Sequence, residues 1–554
     1  MSFDNYHIRY AIREQAVHQR NFFFKSARKR ILEAVYVGIV LLLTFFLLRQ
    51  RIEHREFPSG DEGSWMGVAA QLERGEGFTT RWYEHPYLDH QLLPRPDDYR
   101  YPGLTLPLAA MFRLFGTSYA VALYTVAVLQ LLFLFLLFMI TRRLYGSAVG
   151  CSTLAVTALS LLQLEWNSAV YSEGMFGIGL SLVTMAVLFL DRSNYRTWVI
   201  IGLSCALLYY IRPNGILLLG GLPVYLLFHR KEGRRVFVNA GICFASFLVS
   251  AMPWLLRYVL YFGNPLHVAG GASVLRIADD DPLTWSFAEF IRHYSPFIPF
   301  KMIGTGSGHF FIALHFFEKN LFILPLIGVI IRIIRKRCRG DALLAPFYIL
   351  TTVACCYISY RHSWAAVRYM AALLPFIYAY GIAELTRIVR SRSRLLPATV
   401  RFVPLAILTA VLVAPVYYPH RFYLRKFSRP VTVDRTYAGH RRLIERLVPE
   451  NGYYLADAYG QLAFLSTRRC AGIQTFVDSS MIPVFLKRYN PSLLVLGARE
   501  ETNPRIQGIK NALIRQGMVL DPVARHNRGT YYVLHRVPPQ PESAGRNEKH
   551  LPVD

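Results

Sequence analysis

The sequence predicts an α-helical, polytopic membrane protein of about eleven transmembrane helices, closed by a small C-terminal α/β domain outside the bilayer. Three observations carry that expectation. Of the 554 residues, 53% are hydrophobic and only 18% charged, the balance of a membrane protein rather than a soluble globule. Apolar runs long enough to cross a bilayer recur from residue 31 to residue 418. Short clusters of Lys and Arg punctuate those runs and fit on one side of a membrane.

In chain order, residues 1–30 form a basic arm, too long for the n-region of a cleaved leader, so Ile31 to Leu48 is expected to be a retained first span. Apolar runs lie near 31–49, 119–140, 147–165, 174–190, 197–211, 214–229, 236–261, 320–334, 342–359, 368–387 and 401–418. The pair around Pro213 can equally be one broken segment. Arg28-Lys29-Arg30, Arg142-Arg143, Arg192 with Arg196, His229-Arg230-Lys231 with Arg234-Arg235, Arg335-Lys336-Arg337, and Arg387 with Arg390, Arg392 and Arg394 then all fall on one face. The positive-inside rule makes that face cytoplasmic. The transmembrane domain is thus 31–418, with external loops at 51–118 and 262–319. A domain at 419–537 follows on the external side, where Tyr453–Ala456, Leu493–Leu496 and Tyr531–Leu534 read as strands and 441–447 as helix. Residues 538–554 are polar and expected to be disordered.

The formal net charge of +27 raises nucleic acid as a partner, but the cations sit in clusters that orient spans, and no recognition motif accompanies them. The seven cysteines include no C-x-x-C pair and fall mostly in apolar segments, which argues against a disulfide framework or a zinc site. The chain has no Walker A loop, Gly-x-Ser-x-Gly elbow or His-Glu-x-x-His.

Chemistry-bearing residues gather on the external side. Asp61 and Glu62 follow the first span closely, where a carboxylate can take a proton from an acceptor attacking a lipid-borne substrate; a solvated acidic turn is the alternative. Trp65, Trp82 and Tyr83 in the same loop suit stacking on a sugar or anchoring in the interface, and Arg81, Arg95 and Arg100 are its cations. Glu173 is a second acid, at the entrance of the 174–190 span. Arg212, Arg257, Arg361, His362 and Arg368, with Tyr369, lie on the side that the positive-inside rule disfavours. Arginine's planar donor fork fits phosphate oxygens, so these are candidates to hold a lipid phosphate, with snorkelling to headgroups as the alternative. His85, Asp89, His90, Asp97 and Asp98, or Asp279-Asp280-Asp281, offer divalent-metal ligands without the spacing of an established site, so no cofactor is assigned.

Gly60-Asp61-Glu62-Gly63, Gly75-Glu76-Gly77-Phe78, Tyr101-Pro102-Gly103-Leu104-Thr105-Leu106-Pro107-Leu108 and Leu114-Phe115-Gly116-Thr117-Ser118 together resemble the first external loop of the GT-C glycosyltransferases. The branch they resemble is that of the protein O-mannosyltransferases and lipid A aminoarabinose transferases. Arg142-Arg143-Leu144-Tyr145-Gly146, Arg212-Pro213-Asn214-Gly215, Pro253-Trp254 with Arg257, Phe262-Gly263-Asn264-Pro265, and Arg368-Tyr369 with Pro375 extend the likeness over most of the membrane part. The resemblance implies juxtamembrane helices along the outer surface, a polyprenyl-phosphate sugar donor and inverting transfer at the external face of the inner (plasma) membrane. It implies that Asp61 is the first-loop catalytic acid, Glu173 the second acidic position and Arg368 the cation beside the donor phosphate. The acceptor is left open among glycan, lipid and protein. A lipid-linked saccharide flippase and a polysaccharide polymerase or ligase are the alternatives. The flippase is disfavoured because no internal repeat is visible and the charges gather at one face.

Overall fold

In this computed structural model the described residues are 30–55, 58, 61–83, 93–98, 100–191, 193–222, 234–263, 372–392, 433–450, 452–456, 468–472, 482–483, 486, 490–497, 503–526 and 529–536. The expected spans at 320–334, 342–359 and 401–418 lie outside them, as does the tail after 537.

The chain begins with α1 (Arg30–Glu53), a helix of 24 residues, or about 36 Å at 1.5 Å per residue, enough to cross a bilayer. Next come α2 (Glu62–Glu73), the short strands β1 (Thr79–Thr80), β2 (Trp82–Tyr83) and β3 (Arg95–Pro96), and α3 (Pro102–Phe115). The 51–118 stretch is therefore built largely from helices and a hairpin. The membrane part continues with α4 (Tyr119–Tyr145), α5 (Ser147–Leu159), α6 (Leu161–Trp166), α7 (Glu173–Phe189) and α8 (Tyr195–Ile211). A 3₁₀ helix at Pro213–Gly220, α9 (Arg234–Phe262) and α10 (Leu374–Arg392) follow. Among the described residues α1, α4 and α9 are long and apolar enough to span a membrane.

Two expected spans are interrupted, each for a local reason. The 147–165 run breaks at Ser160, whose hydroxyl accepts from the Gln163 N–H and so starts α6 afresh. After α8, Pro213 has no N–H to continue the helix, and the chain folds back against it. A Cβ at Gly215 would lie 2.6 Å from the Leu208 carbonyl carbon, so this return is open to glycine alone.

The described chain divides into two compact units, one comprising Met1–His54, Leu123–Leu256 and Asp281–Pro430, the other Arg55–Ala122, Arg257–Asp280 and Val431–Asp554. In the first unit, Ile31, Val35, Ile39, Leu42 and Phe46 form an exposed apolar stripe on one face of α1. Val37 and Val40 face the other way, onto Leu134 and Phe138 of α4 and Leu154 and Ala158 of α5. An exposed stripe of this kind is what lipid solvates and water does not. Several hydroxyls inside these helices return to their own backbone: Thr44 donates to the Val40 carbonyl, Thr141 to Leu137 and Thr184 to Leu180, which satisfies these donors without water. Small residues set the closest approaches, with a Cβ at Gly202 of α8 meeting the Cys243 carbonyl oxygen of α9 at 2.3 Å.

The second unit holds a six-stranded sheet in the order β2-β5-β4-β6-β8-β7, with β4 (Tyr453–Ala456), β5 (Arg469–Gly472), β6 (Leu493–Gly497), β7 (Met518–His526) and β8 (Gly529–Arg536). β2, β5, β4 and β6 run parallel, while β8 and β7 are added antiparallel. Leu493, Leu494, Val495 and Leu496 are all fully buried, so β6 is covered on both faces, as a central parallel strand should be. One face packs Leu455, Leu494 and Leu496 against Ile506, Ile509 and Leu513 of α12 (Pro504–Arg515). The amphipathic α11 (Val433–Leu447) contributes the buried His440, whose Nδ1 pairs with the Tyr531 hydroxyl of β8.

Candidate functional site

The second unit carries the first-loop acids. Asp61 is the N-cap residue of α2: its carbonyl accepts from the Ser64 and Trp65 N–H groups at 3.2 and 3.3 Å, but its side chain makes no capping bond. The carboxylate is thus not used on the α2 N–H groups. It retains 25% side-chain exposure and sits at the positive end of the α2 dipole, with Arg100 Nη2 3.3 Å from its Oδ1. Arg100 is 5% exposed and its guanidinium lies 5.2 Å from the Trp65 ring centroid. Asp61, Trp65 and Arg100 are thus brought together, as a carboxylate beside a cation held on an indole face.

Glu62 has the opposite environment. Expected to be a second catalytic acid, it is fully buried, its Oε1 accepting from Arg55 Nη1 at 2.8 Å and its Oε2 from the Tyr119 hydroxyl at 3.0 Å. Both oxygens are engaged inside the unit, the arrangement of an anchor for the start of α2.

After α2, Gly75 and Gly77 adopt positive φ and turn the chain into the β1–β3 hairpin. Arg81 is bound by Glu76, with Nη2 at 2.8 and 2.9 Å from the two carboxylate oxygens. Trp82 and Tyr83 supply the β2 backbone beside Cys470 and Ala471; their side chains lie outside the described ones. Arg257, expected to hold phosphate, donates from Nη2 to the Phe78 and Asp97 carbonyls at 3.0 and 2.6 Å. Asp97 Oδ2 accepts from the Arg100 N–H at 2.7 Å. Burial first, then the neighbouring Asp98, pushes the Asp97 carboxyl up to about 6, with Arg100 and Arg95 pulling the other way.

The first unit carries Glu173, first residue of α7 and 2% exposed. Arg212, just after α8, gives Nη2 to Glu173 Oε1 at 2.6 Å and Nε to the Ser172 hydroxyl at 2.7 Å, a planar fork used on two neighbouring acceptors. A buried amide group accompanies the pair: Gln130 Nε2 donates to Gln163 Oε1 at 3.2 Å, and Asn167 Nδ2 to the Gln163 carbonyl at 2.8 Å. Sequence reasoning passed over these amides and over Arg55 and Tyr119. Gln130, lodged in an otherwise apolar run, carried the available signal, because a polar group at membrane depth needs a partner. Arg361, His362, Arg368, Tyr369, His85, Asp89, His90 and 279–281 lie outside the described residues. Among the described residues no three of His, Cys, Asp and Glu converge on a point that would hold a metal ion.

Residues 100–256 match the dolichyl-phosphate-mannose-protein mannosyltransferase family. The chain superposes on ArnT from Cupriavidus metallidurans bound to undecaprenyl phosphate with a TM-score of 0.57 and 14% identity, over 90% of this chain and 97% of that one. The fold is that of the GT-C glycosyltransferases. The archaeal oligosaccharyltransferase AglB from Archaeoglobus fulgidus, in complex with an inhibitory peptide and a dolichol-phosphate, shares this GT-C fold at TM-score 0.54 and 12% identity, over 88% of this chain and 73% of AglB. No curated protein sequence matches. The family match takes in Arg100, Tyr119, Glu173 and Arg212, while Asp61 and Glu62 precede it in the sequence.

Proposed function

We propose that the protein is an integral membrane glycosyltransferase that moves a sugar from a polyprenyl-phosphate donor to an acceptor at the external face of the plasma membrane, in one inverting displacement with Asp61 as general base. The observation that carries this reading is the contrast within the Asp61-Glu62 pair. Glu62 is sealed in the interior by Arg55 and Tyr119, while Asp61 keeps a quarter-exposed carboxylate that no capping bond consumes. The solved ArnT and AglB structures, with undecaprenyl phosphate and dolichol-phosphate bound, support a lipid-phosphate donor.

In this mechanism an acceptor hydroxyl or amine gives its proton to an Asp61 oxygen as it attacks the anomeric carbon. The bond from that carbon to the phosphate oxygen breaks on the opposite side, which inverts the centre and releases the polyprenyl phosphate. Positioning and charge stabilisation supply most of the rate. Arg100, 3.3 Å from the carboxylate, orients the base, and Trp65 holds Arg100 in place. Arg368, Tyr369, Arg361 and His362 are assigned to the departing phosphate on the strength of the family resemblance. Glu173 neutralises Arg212 and fixes its fork inside the first unit.

The test is Asp61→Asn. The variant is expected to insert and melt like wild type, yet to give the cell-envelope glycans of cells lacking the gene when these are compared by mass spectrometry. Envelope glycans identical to wild type in Asp61→Asn cells would remove Asp61 from the chemistry.

A further inference from the structure

The excursion from Phe78 to Asp98 leaves α2, supplies β1, β2 and β3, and returns to the start of α3 just before Arg100. Its two ends meet at its base, where the Asp97 N–H donates to the Phe78 carbonyl at 3.0 Å. Arg257 closes the same base from α9: its Nη2 reaches both the Phe78 carbonyl at 3.0 Å and the Asp97 carbonyl at 2.6 Å. The guanidinium is further enclosed by rings, with the centroids of Phe78, Tyr261 and Phe262 at 5.0, 5.5 and 5.8 Å. The next residue adds to the seam, as the Tyr258 hydroxyl donates to the Asp98 carbonyl at 3.4 Å and its ring meets Tyr101 edge-on at 6.3 Å. From Asp97 the path runs one step further. Its Oδ2 accepts the Arg100 N–H, and the Arg100 guanidinium stands 3.3 Å from Asp61.

We infer that Arg257 is a positioning residue that staples the base of the 78–98 excursion and, through Asp97, fixes Arg100 against Asp61. This rests on the reading of Asp61 as the base. It also replaces the expected use of Arg257 on a lipid phosphate, because its Nη2 is committed to two backbone carbonyls and its guanidinium is packed among three rings of the protein itself. Lysine cannot substitute: its ammonium ends more than an ångström short of an Arg Nη and offers no plane to the rings, whereas a phosphate accepts either cation.

The experiment uses full-length protein in detergent, with undecaprenyl phosphate as the probe. Arg257→Lys is expected to speed amide exchange at Asp97 and Arg100 at least tenfold while leaving undecaprenyl phosphate affinity, read by native mass spectrometry, within twofold of wild type. In cells, its envelope product is expected to fall about tenfold. Asp97→Ala is expected to reproduce the faster Arg100 exchange and the product loss without touching α9, and Asp97→Asn, which keeps an acceptor for the Arg100 N–H, to restore both. The double variant Arg257→Lys/Asp97→Ala should be no worse than the poorer single one, since the two residues act through one link. Wild-type exchange in Arg257→Lys together with a tenfold loss of undecaprenyl phosphate affinity overturns the staple and returns Arg257 to the phosphate. Wild-type exchange with wild-type product overturns it as well. Asp61→Asn run in parallel separates this from the underlying reading, because an active Asp61→Asn sinks the base while the exchange data still decide the staple.

Discussion

At the scale of residues, Asp61 and Glu62 are adjacent acids with opposite physical roles. Position on the helix decides between them: the N-cap side chain points out of α2, whereas the first helical residue turns inward, where Arg55 and Tyr119 receive it. A buried ion pair is expensive to break from one side, since the remaining charge stays in low dielectric. Glu62→Ala is therefore expected to lower stability by about 3 kcal/mol. Tyr119→Phe, which removes a neutral donor to a charged acceptor, should lose about 2 kcal/mol. Thermal melts in detergent check both, and a Glu62→Ala protein that melts with wild type would refute the anchor. A dipeptide in a sequence states which acids are present but not which one faces inward, so this split was illegible until α2 was placed. The carbonyl contacts of Arg257 were hidden for a related reason: the positive-inside rule finds a cation on the unexpected side but cannot see the Phe78 and Asp97 carbonyls beside it.

At the scale of elements, the legible parts were those whose signal is local. The strands at 453–456, 493–497 and 529–536 and the helix at 433–447 follow from runs of β-branched, aromatic or periodic apolar residues. β7 escaped because Pro522 and Asp521 interrupt it, and the sheet tolerates them there because β7 is an edge strand with a bulge between Pro522 and Ala524. β2 escaped because two residues of the first loop carry no strand signal; pairing with β5, distant in sequence, creates it. The hairpin base offers a pH test. Asp97 holds its proton up to about pH 6 because burial, with Asp98 beside it, disfavours the anion. A carboxyl whose folded value is raised contributes stability that is full below its unfolded value near 4 and is lost as pH rises through 6. Asp97→Asn, permanently neutral, is expected to be more stable than wild type at pH 8, by roughly 2–3 kcal/mol, with the gap closing by about pH 4. Melts at pH 4, 6 and 8 measure it; a variant weaker than wild type at pH 8 contradicts the assignment.

At the scale of the whole molecule, the question is which basic clusters share a side of the membrane. Inside the first unit the helices answer part of it. Arg142, near the end of α4, pairs with Glu33, near the start of α1, at 2.9 Å, so those two helix ends lie at one level. Arg235 at the start of α9 donates to the Ser193 carbonyl between α7 and α8, which joins the start of α9 to that link. Tyr145, the last residue of α4, meets Tyr380 of α10 edge-on at 6.2 Å. These contacts bring three of the helix ends expected on one face next to described neighbours, and the positive-inside rule assigns that face to the cytoplasm. The sidedness expected from the sequence is tested at two exposed positions: Ser193, expected in a cytoplasmic link, and Gln516, just after α12 and expected on the external side. With a membrane-impermeant maleimide on intact cells, Gln516→Cys should label at once and Ser193→Cys only after lysis. The native background at Cys470 is silent, because that thiol is fully buried and burial pushes its ionisation well above the ordinary range. Labelling of Ser193→Cys from outside, or of both positions from one side, would break the topology, and with it the external placement of Asp61 on which the proposed chemistry depends.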